Sequence, residues 1–441
     1  MNAPIFDFIK KYADSETVRL HMPGHKGESF IGCERFDITE IKGADSLFEC
    51  SGIICESEKN ASSVFGSHTF YSTEGSSLCI RAMIYLSLLH AKESGKECRI
   101  LAARNVHKTF LSAAALLDVD VRWIYSSENY LSCGITPERL EAEIEANRPT
   151  AVYITSPDYL GNVADIAALS KICKKRRVLL LVDNAHGAYL KFLENSLHPT
   201  DLGADMCCDS AHKTLPALTG GAYLHVSNDA PSLFVEQAKN ALALFASTSP
   251  SYLILSSLDN LNSYLETSYK NELVLFAKKV SILKNELLSH GYTLLGNEEL
   301  KLTLRTTDFG YFGDVFAEEM RKNGFECEFS DKEHVVLMLT PQISDDEILK
   351  LRDHLLAVKK KDAIANKAPR FFPPKRKTSI REAALSPSET LPSNECLGRT
   401  LALATVSCPP AVPILVCGEE VSGEAVSVME YYGVDELCVI K

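Results

Sequence analysis

The sequence predicts an α/β fold with a mostly parallel sheet that is covered by helices. Two observations predict it: short apolar segments recur through the first half of the chain, and amphipathic helical patterns separate them. Such alternation requires crossover connections, which run neighbouring strands parallel and bury both faces of the sheet. A chain of 441 residues is long enough for two or three domains.

The composition narrows the class of protein. Hydrophobic residues make up 46% and charged residues 24%, as in folded globular proteins, and the net charge of −12 argues against nucleic acid as a partner. No signal peptide and no uncharged apolar run of about 18 residues is visible, so we expect a cytoplasmic protein without a membrane span. The 14 cysteines are scattered without a Cys-x-x-Cys motif, which predicts reduced thiols and no metal site.

The amino-terminal region predicts a short helix and then an irregular loop. Helical spacing of apolar residues runs from Asn2 to Tyr12. In the following segment, Leu20 to Gly27, the Pro-Gly pair forbids a helix, so His21 and His25 do not form the metal pair that their spacing suggests. The segment is either an interfacial or active-site loop or a plain structural turn.

A second loop, from Thr69 to Ser77, is predicted to run into a helix that ends near Leu89. Gly75, Ser76 and Ser77 then lie at the amino terminus of that helix, where free N–H groups and the helix dipole favour an anion. A serine at this position is also an ordinary helix cap.

Six strands and two of the intervening helices follow in order. The helices are Pro137–Ala146 and Asp165–Lys174, and the strands are Arg99–Ala103, Val121–Tyr125, Ala151–Thr155, Val178–Asp183, Ala204–Asp209 and Gly221–Val226. Ligands of parallel sheets bind at the carboxyl ends of the strands. Polar residues follow four of these strands, so we expect them to converge on one cleft; they begin at Arg104, Ser156, Asp183 and Ser210.

The remaining chain predicts smaller parts. A helical stretch from about Leu253 to His290, in one or more pieces, precedes a second alternating unit with strands Lys301–Arg305, Glu326–Ser330 and His334–Leu339 and helices Gly313–Asn323 and Ser344–Val358. We therefore predict five segments: an amino-terminal segment with loops (1–60), a large sheet domain (61–265), a small α/β domain (266–360), a linker (361–379) and a small carboxyl-terminal domain (380–441).

The polar residues of the large domain indicate a particular chemistry. The Lys213 amine can form an imine with an aldehyde cofactor, and a buried carboxylate such as Asp183 can keep a pyridine nitrogen protonated. Pyridoxal phosphate requires both groups, together with an anion cradle and a flat partner for its ring. Each residue alone also has an ordinary interpretation as a surface, turn or hydrogen-bonded side chain. The cradle candidates are Gly75, Ser76, Ser77, Ser210 and His212, and the ring candidates are His107 and His186.

These residues lie in motifs that resemble the ornithine/lysine/arginine decarboxylase family of pyridoxal-phosphate enzymes, in its compact bacterial type. The resemblance extends over nearly the whole chain in the family's order. A weaker similarity lies in Pro410-Ala411-Val412-Pro413-Ile414-Leu415-Val416-Cys417-Gly418-Glu419. The main motifs are His21-Met22-Pro23-Gly24-His25-Lys26-Gly27, Arg104-Asn105-Val106-His107-Lys108, Asp183-Asn184-Ala185-His186-Gly187-Ala188, Ser210-Ala211-His212-Lys213-Thr214-Leu215-Pro216-Ala217-Leu218-Thr219 and Thr248-Ser249-Pro250-Ser251-Tyr252.

The resemblance implies an aspartate-aminotransferase-like fold with a seven-stranded-type cofactor sheet and assigns roles to residues. Lys213 is the Schiff-base lysine, Asp183 the partner of the ring nitrogen and His107 the stacking residue, with His186 close by. Family members are dimers or larger, with active sites at subunit interfaces. The residues that match the phosphate pocket are Ser76, Ser77, Ser210 and His212, with Thr248 reaching it from a second subunit.

Two positions depart from the family pattern. Asn184 stands where the family commonly has Glu, and Glu74 stands where it commonly has Asn. A carboxylate beside a phosphate is repelled unless it points away, so Glu74 puts the phosphate pocket in doubt.

The resemblance implies decarboxylation of a basic amino acid to an amine of polyamine biosynthesis. Arginine is preferred, then lysine or ornithine, and His212 or Lys213 returns the proton to the α-carbon. The alternatives are another reaction on the same cofactor, namely transamination or aldol-type cleavage, and an inactive cofactor-binding homologue. Glu419 and Asp158 are candidates for the substrate side chain, and both also have an ordinary surface or turn interpretation.

Overall fold

The computed structural model describes residues 1–125, 130, 132–365, 369–404 and 412–441. The chain forms two compact units, and each contains two stretches of sequence. One unit holds residues 1–96 and 179–274, and the other holds residues 97–178 and 275–441. Pro410 and Ala411 of the weaker motif lie outside the described residues.

Much of the described chain is helical. No helix among the described residues is long and apolar enough to cross a membrane. The sequence predicts helix from about Leu253 to His290. In the structure this segment consists of two α-helices joined by a π-helical turn, Leu265–Tyr269. Short 3-10 helices lie at Glu34–Phe36, Ala188–Phe192, Thr306–Phe309 and Ser393–Glu395. The α-helices are α1 Pro4–Ala13, α2 Ile53–Phe65, α3 Gly75–Glu93, α4 Lys108–Leu117, α5 Pro137–Asn147, α6 Ile166–Arg176, α7 Ala211–Thr214, α8 Ser232–Ala243, α9 Tyr252–Tyr264, α10 Lys270–His290, α11 Gly313–Lys322, α12 Asp345–Ala357, α13 Ile380–Ala384 and α14 Gly423–Tyr432.

The strands of the described residues form three sheets. Seven strands make the large sheet in the order β1-β7-β6-β5-β4-β2-β3, four make an antiparallel sheet in the order β10-β11-β9-β8, and β12 pairs with β13. The strands are β1 His68–Ser72, β2 Arg99–Ala103, β3 Asp120–Ile124, β4 Ala151–Thr155, β5 Leu179–Asp183, β6 Met206–Asp209, β7 Ala222–Val226, β8 Thr293–Leu295, β9 Lys301–Arg305, β10 Phe329–Ser330, β11 His334–Met338, β12 Ser388–Pro392 and β13 Glu436–Ile440.

The large sheet confirms the predicted fold class. Strand β2 pairs parallel with β3 and β4, and β5 pairs parallel with β6. Strand β7, the last of the predicted series, is not parallel to the others. It runs antiparallel to both of its neighbours, β1 and β6. The prediction of a loop at Thr69 was also wrong: His68–Ser72 is an edge strand, and pairing with β7 satisfies its backbone.

Apolar strands place the polar cluster of the first unit. All five residues of β5 and all four of β6 are buried, which explains why both strands read as continuous apolar runs. Burial of one leucine side chain contributes about 1.5–3 kcal/mol, so the register of these strands is strongly fixed. Their carboxyl ends then carry Asp183 and Asp209 at one edge of the sheet.

Candidate active site

Asp183 ends strand β5 as a buried carboxylate, 2% exposed. Its Oδ1 atom accepts a hydrogen bond from the Ala185 N–H at 3.2 Å and from the Cys208 thiol at 3.6 Å. Cys208 lies directly opposite Asp183 in the register of β5 and β6. An anionic acceptor is thus held at a fixed point by two neighbouring strands.

Lys213 lies in the short helix α7, directly beyond the end of β6. Its Nζ atom is 3.0 Å from Nε2 of His186, which follows β5. The lysine side chain is half-buried and the histidine is buried. Because a ring nitrogen of imidazole can accept a hydrogen bond from the lysine amine, this contact orients the Lys213 side chain.

The start of helix α3 lies beside the same segment. The Ser210 hydroxyl donates to the Ser76 hydroxyl at 2.9 Å, and the side chain of Glu74, the N-cap residue of α3, makes no cap hydrogen bond. Gly75 has φ +68° and donates its N–H to the Gly220 carbonyl at 2.8 Å, which a residue with a side chain could do only under strain. The helix start and two hydroxyls therefore form a polar cradle suited to an anion.

His212 lines this cradle through its ring. The Nδ1 atom donates to the Gly221 carbonyl at 2.9 Å, and Cε1 lies 4.0 Å from the position that a Cβ on Gly75 would occupy. The proton on Nδ1 leaves Nε2 as an acceptor in the neutral ring.

The Glu74 carboxylate is exposed and engaged with a neighbouring loop. Its Oε1 accepts a hydrogen bond from the Ser247 N–H at 2.7 Å. The carboxylate therefore holds the loop that contains Thr248, which is itself exposed. The role of Thr248 toward a second subunit stays a prediction.

His107 belongs to the other compact unit, where it caps helix α4. Its Nδ1 atom accepts a hydrogen bond from the Thr109 N–H at 3.2 Å, which places the proton of the neutral ring on Nε2. The ring is exposed and its orientation is set by this cap. Its stacking role stays a prediction.

Glu419 is not available for a substrate side chain. Its two carboxylate oxygens accept hydrogen bonds from both terminal nitrogens of Arg104, at 2.8 and 2.6 Å, and both side chains are buried. The Val416 N–H adds a third hydrogen bond at 2.7 Å. The suggestion that Glu419 faces a substrate was therefore wrong, because Arg104 already neutralises this carboxylate.

Asp158 is likewise used to build a turn. Its Oδ1 accepts from the N–H groups of Leu160 and Asn162 at 3.0 and 2.8 Å, and its Oδ2 accepts from the Ser132 hydroxyl at 2.7 Å. The turn interpretation of this residue holds, and the substrate interpretation is not supported.

Sequence reasoning missed a buried polar cluster next to Ser210. Asp209 accepts hydrogen bonds from His198, His225 and Asn184, and all four side chains are completely buried. One atom each of His198, Cys207 and Asp209 lie within 4.8 Å of one another, a grouping that can hold a metal ion. Alternation along the strands was the available signal, since Cys207 and Asp209 share a face and His225 lies opposite Cys207.

Known proteins resemble this chain over most of its length. A family model described as Orn/Lys/Arg decarboxylase, major domain, matches residues 3–287. Among curated proteins, the arginine decarboxylase of Halalkalibacterium halodurans is 29% identical over 94% of this chain and 90% of its own length. The arginine decarboxylase of Bacillus subtilis is 27% identical over 96% of this chain and 92% of its own length.

Solved structures give the same fold. Lysine decarboxylase A from Pseudomonas aeruginosa superposes with a TM-score of 0.81 at 18% identity, covering 98% of this chain and 76% of that one. The lysine decarboxylase of Francisella novicida has a TM-score of 0.80 at 16% identity, covering 100% of this chain and 81% of that one. At these identities the likeness establishes the fold alone.

Proposed function

Since the chain belongs to the Orn/Lys/Arg decarboxylase family, we propose that it uses pyridoxal phosphate to remove the carboxyl group of a basic amino acid. Similarity to arginine decarboxylases over most of the chain favours arginine, followed by lysine and ornithine. The observation that carries the proposal is the Lys213 amine, which lies 3.0 Å from His186 in the short helix beyond β6, the strand paired with the one that ends at buried Asp183.

The residues of the first unit fit the cofactor. Lys213 offers an amine to the aldehyde, Asp183 offers a buried carboxylate to the ring nitrogen, and the start of α3 with Ser76 and Ser210 offers hydrogen bonds to the phosphate. When bound, pyridoxal phosphate supplies an electron-accepting ring that stabilises the carbanion left by departing carbon dioxide.

The side chains have separate roles in the proposed reaction. Asp183 keeps a proton on the ring nitrogen, because its buried negative charge favours the protonated form. His186 lies 3.0 Å from Nζ of Lys213 and orients the amine through this hydrogen bond. His212 or Lys213 delivers a proton to the α-carbon after carbon dioxide leaves.

We also propose a homodimer or larger homo-oligomer with shared active sites, in which Thr248 reaches the phosphate pocket of a second subunit. Support comes from an exposed apolar segment at the amino terminus, since contiguous exposed apolar surface marks interaction sites. Its large side chains are Val18, Leu20, Met22, Phe30 and Ile31, which are 77%, 89%, 66%, 80% and 85% exposed. A cytoplasmic location and a role in polyamine biosynthesis are part of the same proposal.

Product identification tests the proposed reaction. The purified protein, loaded with pyridoxal phosphate, is incubated in turn with arginine, lysine and ornithine, and the products are identified by mass. We expect carbon dioxide and the corresponding amine, with arginine turned over fastest. A keto acid would indicate transamination instead, and no turnover of any of the three would indicate an inactive homologue.

A further inference from the structure

The buried cluster around Asp209 connects three parts of the first unit. Asp209 Oδ2 accepts hydrogen bonds from Nε2 of His198 at 3.1 Å and from Nε2 of His225 at 3.2 Å. Its other oxygen, Oδ1, accepts from the Asn184 amide at 2.7 Å. Thr200 lies 2.9 Å from the Nδ1 atom of His198. Each oxygen of this carboxylate therefore has a donor.

The cluster stabilises a buried negative charge. Burial alone would raise the pKa of Asp209, yet its two histidine neighbours hold that pKa below its ordinary value. Burial lowers the pKa of His225, although Asp209 opposes this shift. An ionised carboxylate is thus the form of Asp209 that the cluster favours, and a carboxylate with three donors has no unmet demand for a metal ion.

The cluster lies directly behind the residues that we propose to hold the cofactor. Asp209 is the last residue of β6 and precedes Ser210, and Asn184 follows Asp183 at the end of β5. The hydrogen bond between Asn184 and Asp209 therefore joins the two strand ends that carry Asp183 and Ser210, beyond the last pair of backbone partners.

We propose that Asp209 is a positioning residue of the cofactor site, whose buried carboxylate fixes the spacing between Asp183 and Ser210 and requires a neutral donor at position 184. This inference rests on the proposed function. It also gives a physical reason for Asn184, because a second carboxylate 2.7 Å from Asp209 would place two negative charges in a completely buried site.

Space around Asn184 restricts the alternatives further. A Cβ added to Gly187 would lie 2.1 Å from Asn184 Oδ1, so the amide is confined between Gly187 and Asp209. A longer side chain at position 184 would have to displace one of them. The pair Asn184–Asp209 is therefore a matched donor and acceptor of fixed length.

Three variants test the proposal in the full-length protein. Asp209→Asn removes the charge, Asn184→Asp places two carboxylates together, and the double variant Asn184→Asp with Asp209→Asn keeps one charge and reverses the hydrogen bond. The control is Asp205→Asn, because Asp205 Oδ2 accepts from the Leu180 N–H at 2.7 Å and so joins the same two strands at their opposite ends.

The readouts are the dissociation constant for pyridoxal phosphate and the visible circular dichroism of the bound cofactor at saturation, which reports its orientation. We expect each single variant at positions 184 and 209 to weaken cofactor binding about tenfold or more and to change the dichroism per bound cofactor. We expect the double variant to recover most of both, and Asp205→Asn to leave the dichroism unchanged.

Several results would overturn the proposal. Wild-type affinity and dichroism in Asp209→Asn would do so, as would a double variant no better than the worse single variant. Should a single variant fail to fold, Thr69→Val gives a milder test, because the Thr69 hydroxyl lies 2.9 Å from Nδ1 of His225; unchanged dichroism there would also count against the proposal. Stoichiometric zinc that disappears in Asp209→Asn would show a metal ligand instead. Failure of the proposed function is a separate result: the wild type would bind cofactor without decarboxylating.

Discussion

Lys213 is the residue on which the proposed chemistry depends most directly. Its amine is half-buried and 3.0 Å from the His186 ring, whereas an ordinary surface lysine is fully solvated. Lys213→Ala should abolish both the yellow absorbance of the lysine-linked cofactor and turnover, because no other group supplies that amine. Lys92→Ala, an exposed lysine on helix α3, should change neither property. Decarboxylation by Lys213→Ala at a wild-type rate would contradict the assignment.

At the residue scale, the sequence could predict the groups that follow strands but not those that act through distant partners. Asp183 and Lys213 follow apolar strands, and this position alone indicates a ligand site in a parallel sheet. The partners of Asp209 come from a loop and another strand, and no local pattern joins them. Glu419 was misjudged for the same reason, since Arg104 lies 315 residues away.

Helix α1 illustrates how one element is held by another far along the chain. Asp259 of α9 accepts hydrogen bonds from the N–H groups of Ile5 and Phe6 at 2.8 and 2.9 Å, and from the Ser57 hydroxyl at 2.5 Å. It thereby caps a helix that has no side-chain cap of its own. Burial raises the pKa of Asp259 from 3.8 to about 6, although these donors lower it.

This pKa predicts a pH dependence of stability. The folded protein holds the Asp259 proton up to about pH 6, whereas the unfolded chain loses it near 3.8. The stabilising contribution is therefore present below the lower value and is lost as pH rises through the higher one. Asp259→Asn does not titrate, so its unfolding free energy relative to the wild type should rise between pH 4 and pH 7 in urea titrations. A difference that stays constant between pH 4 and pH 7 would contradict this pKa.

At the element scale, the predicted bounds of three strands match the structure residue for residue. The predicted bounds of β2, β4 and β9 are those of the structure, because β2 and β4 are short, mostly apolar runs and β9 alternates polar and apolar residues. Strand β1 was not predicted because Thr69, Tyr71 and Ser72 carry polar groups and are nevertheless buried. Their burial depends on pairing with β7. The antiparallel direction of β7 likewise depends on that pairing and not on its own sequence.

At the scale of the whole molecule, a buried ion pair joins the carboxyl-terminal segment to strand β2 within one unit. The Arg104 guanidinium lies 4.9 Å from the centre of the Trp123 ring and donates to both oxygens of Glu419. Arg104→Leu should lower the unfolding free energy by about 3–5 kcal/mol, because it leaves Glu419 buried and unpaired. Adding Glu419→Leu should restore part of that loss in urea titrations.

The control for this pair is Arg122→Leu, whose ion pair with Asp120 is partly exposed and contributes little. A double variant less stable than Arg104→Leu alone would show that Glu419 is stabilised by other donors and would contradict the argument. The division of the chain into five segments stays a prediction, since the two compact units follow different boundaries.

Assembly is also a property of the whole molecule. Leu20 and Phe30 belong to the exposed apolar segment at the amino terminus, at 89% and 80% exposure. Leu20→Asp with Phe30→Asp should shift the protein toward monomers in light scattering, because charges oppose burial at a subunit contact. Leu385→Asp, at an exposed leucine elsewhere, should leave the mass unchanged. A wild-type protein that is monomeric would contradict the proposed oligomer.

The central claim is that this chain breaks the bond between the α-carbon and the carboxyl group of a basic amino acid. The most direct measurement is the reaction of the cofactor-loaded protein with arginine in deuterated water, with all products identified by mass. We expect equal amounts of carbon dioxide and amine, with a single deuterium on the carbon that lost the carboxyl group. A keto acid, or arginine recovered with deuterium at its α-carbon and no carbon dioxide, would contradict it.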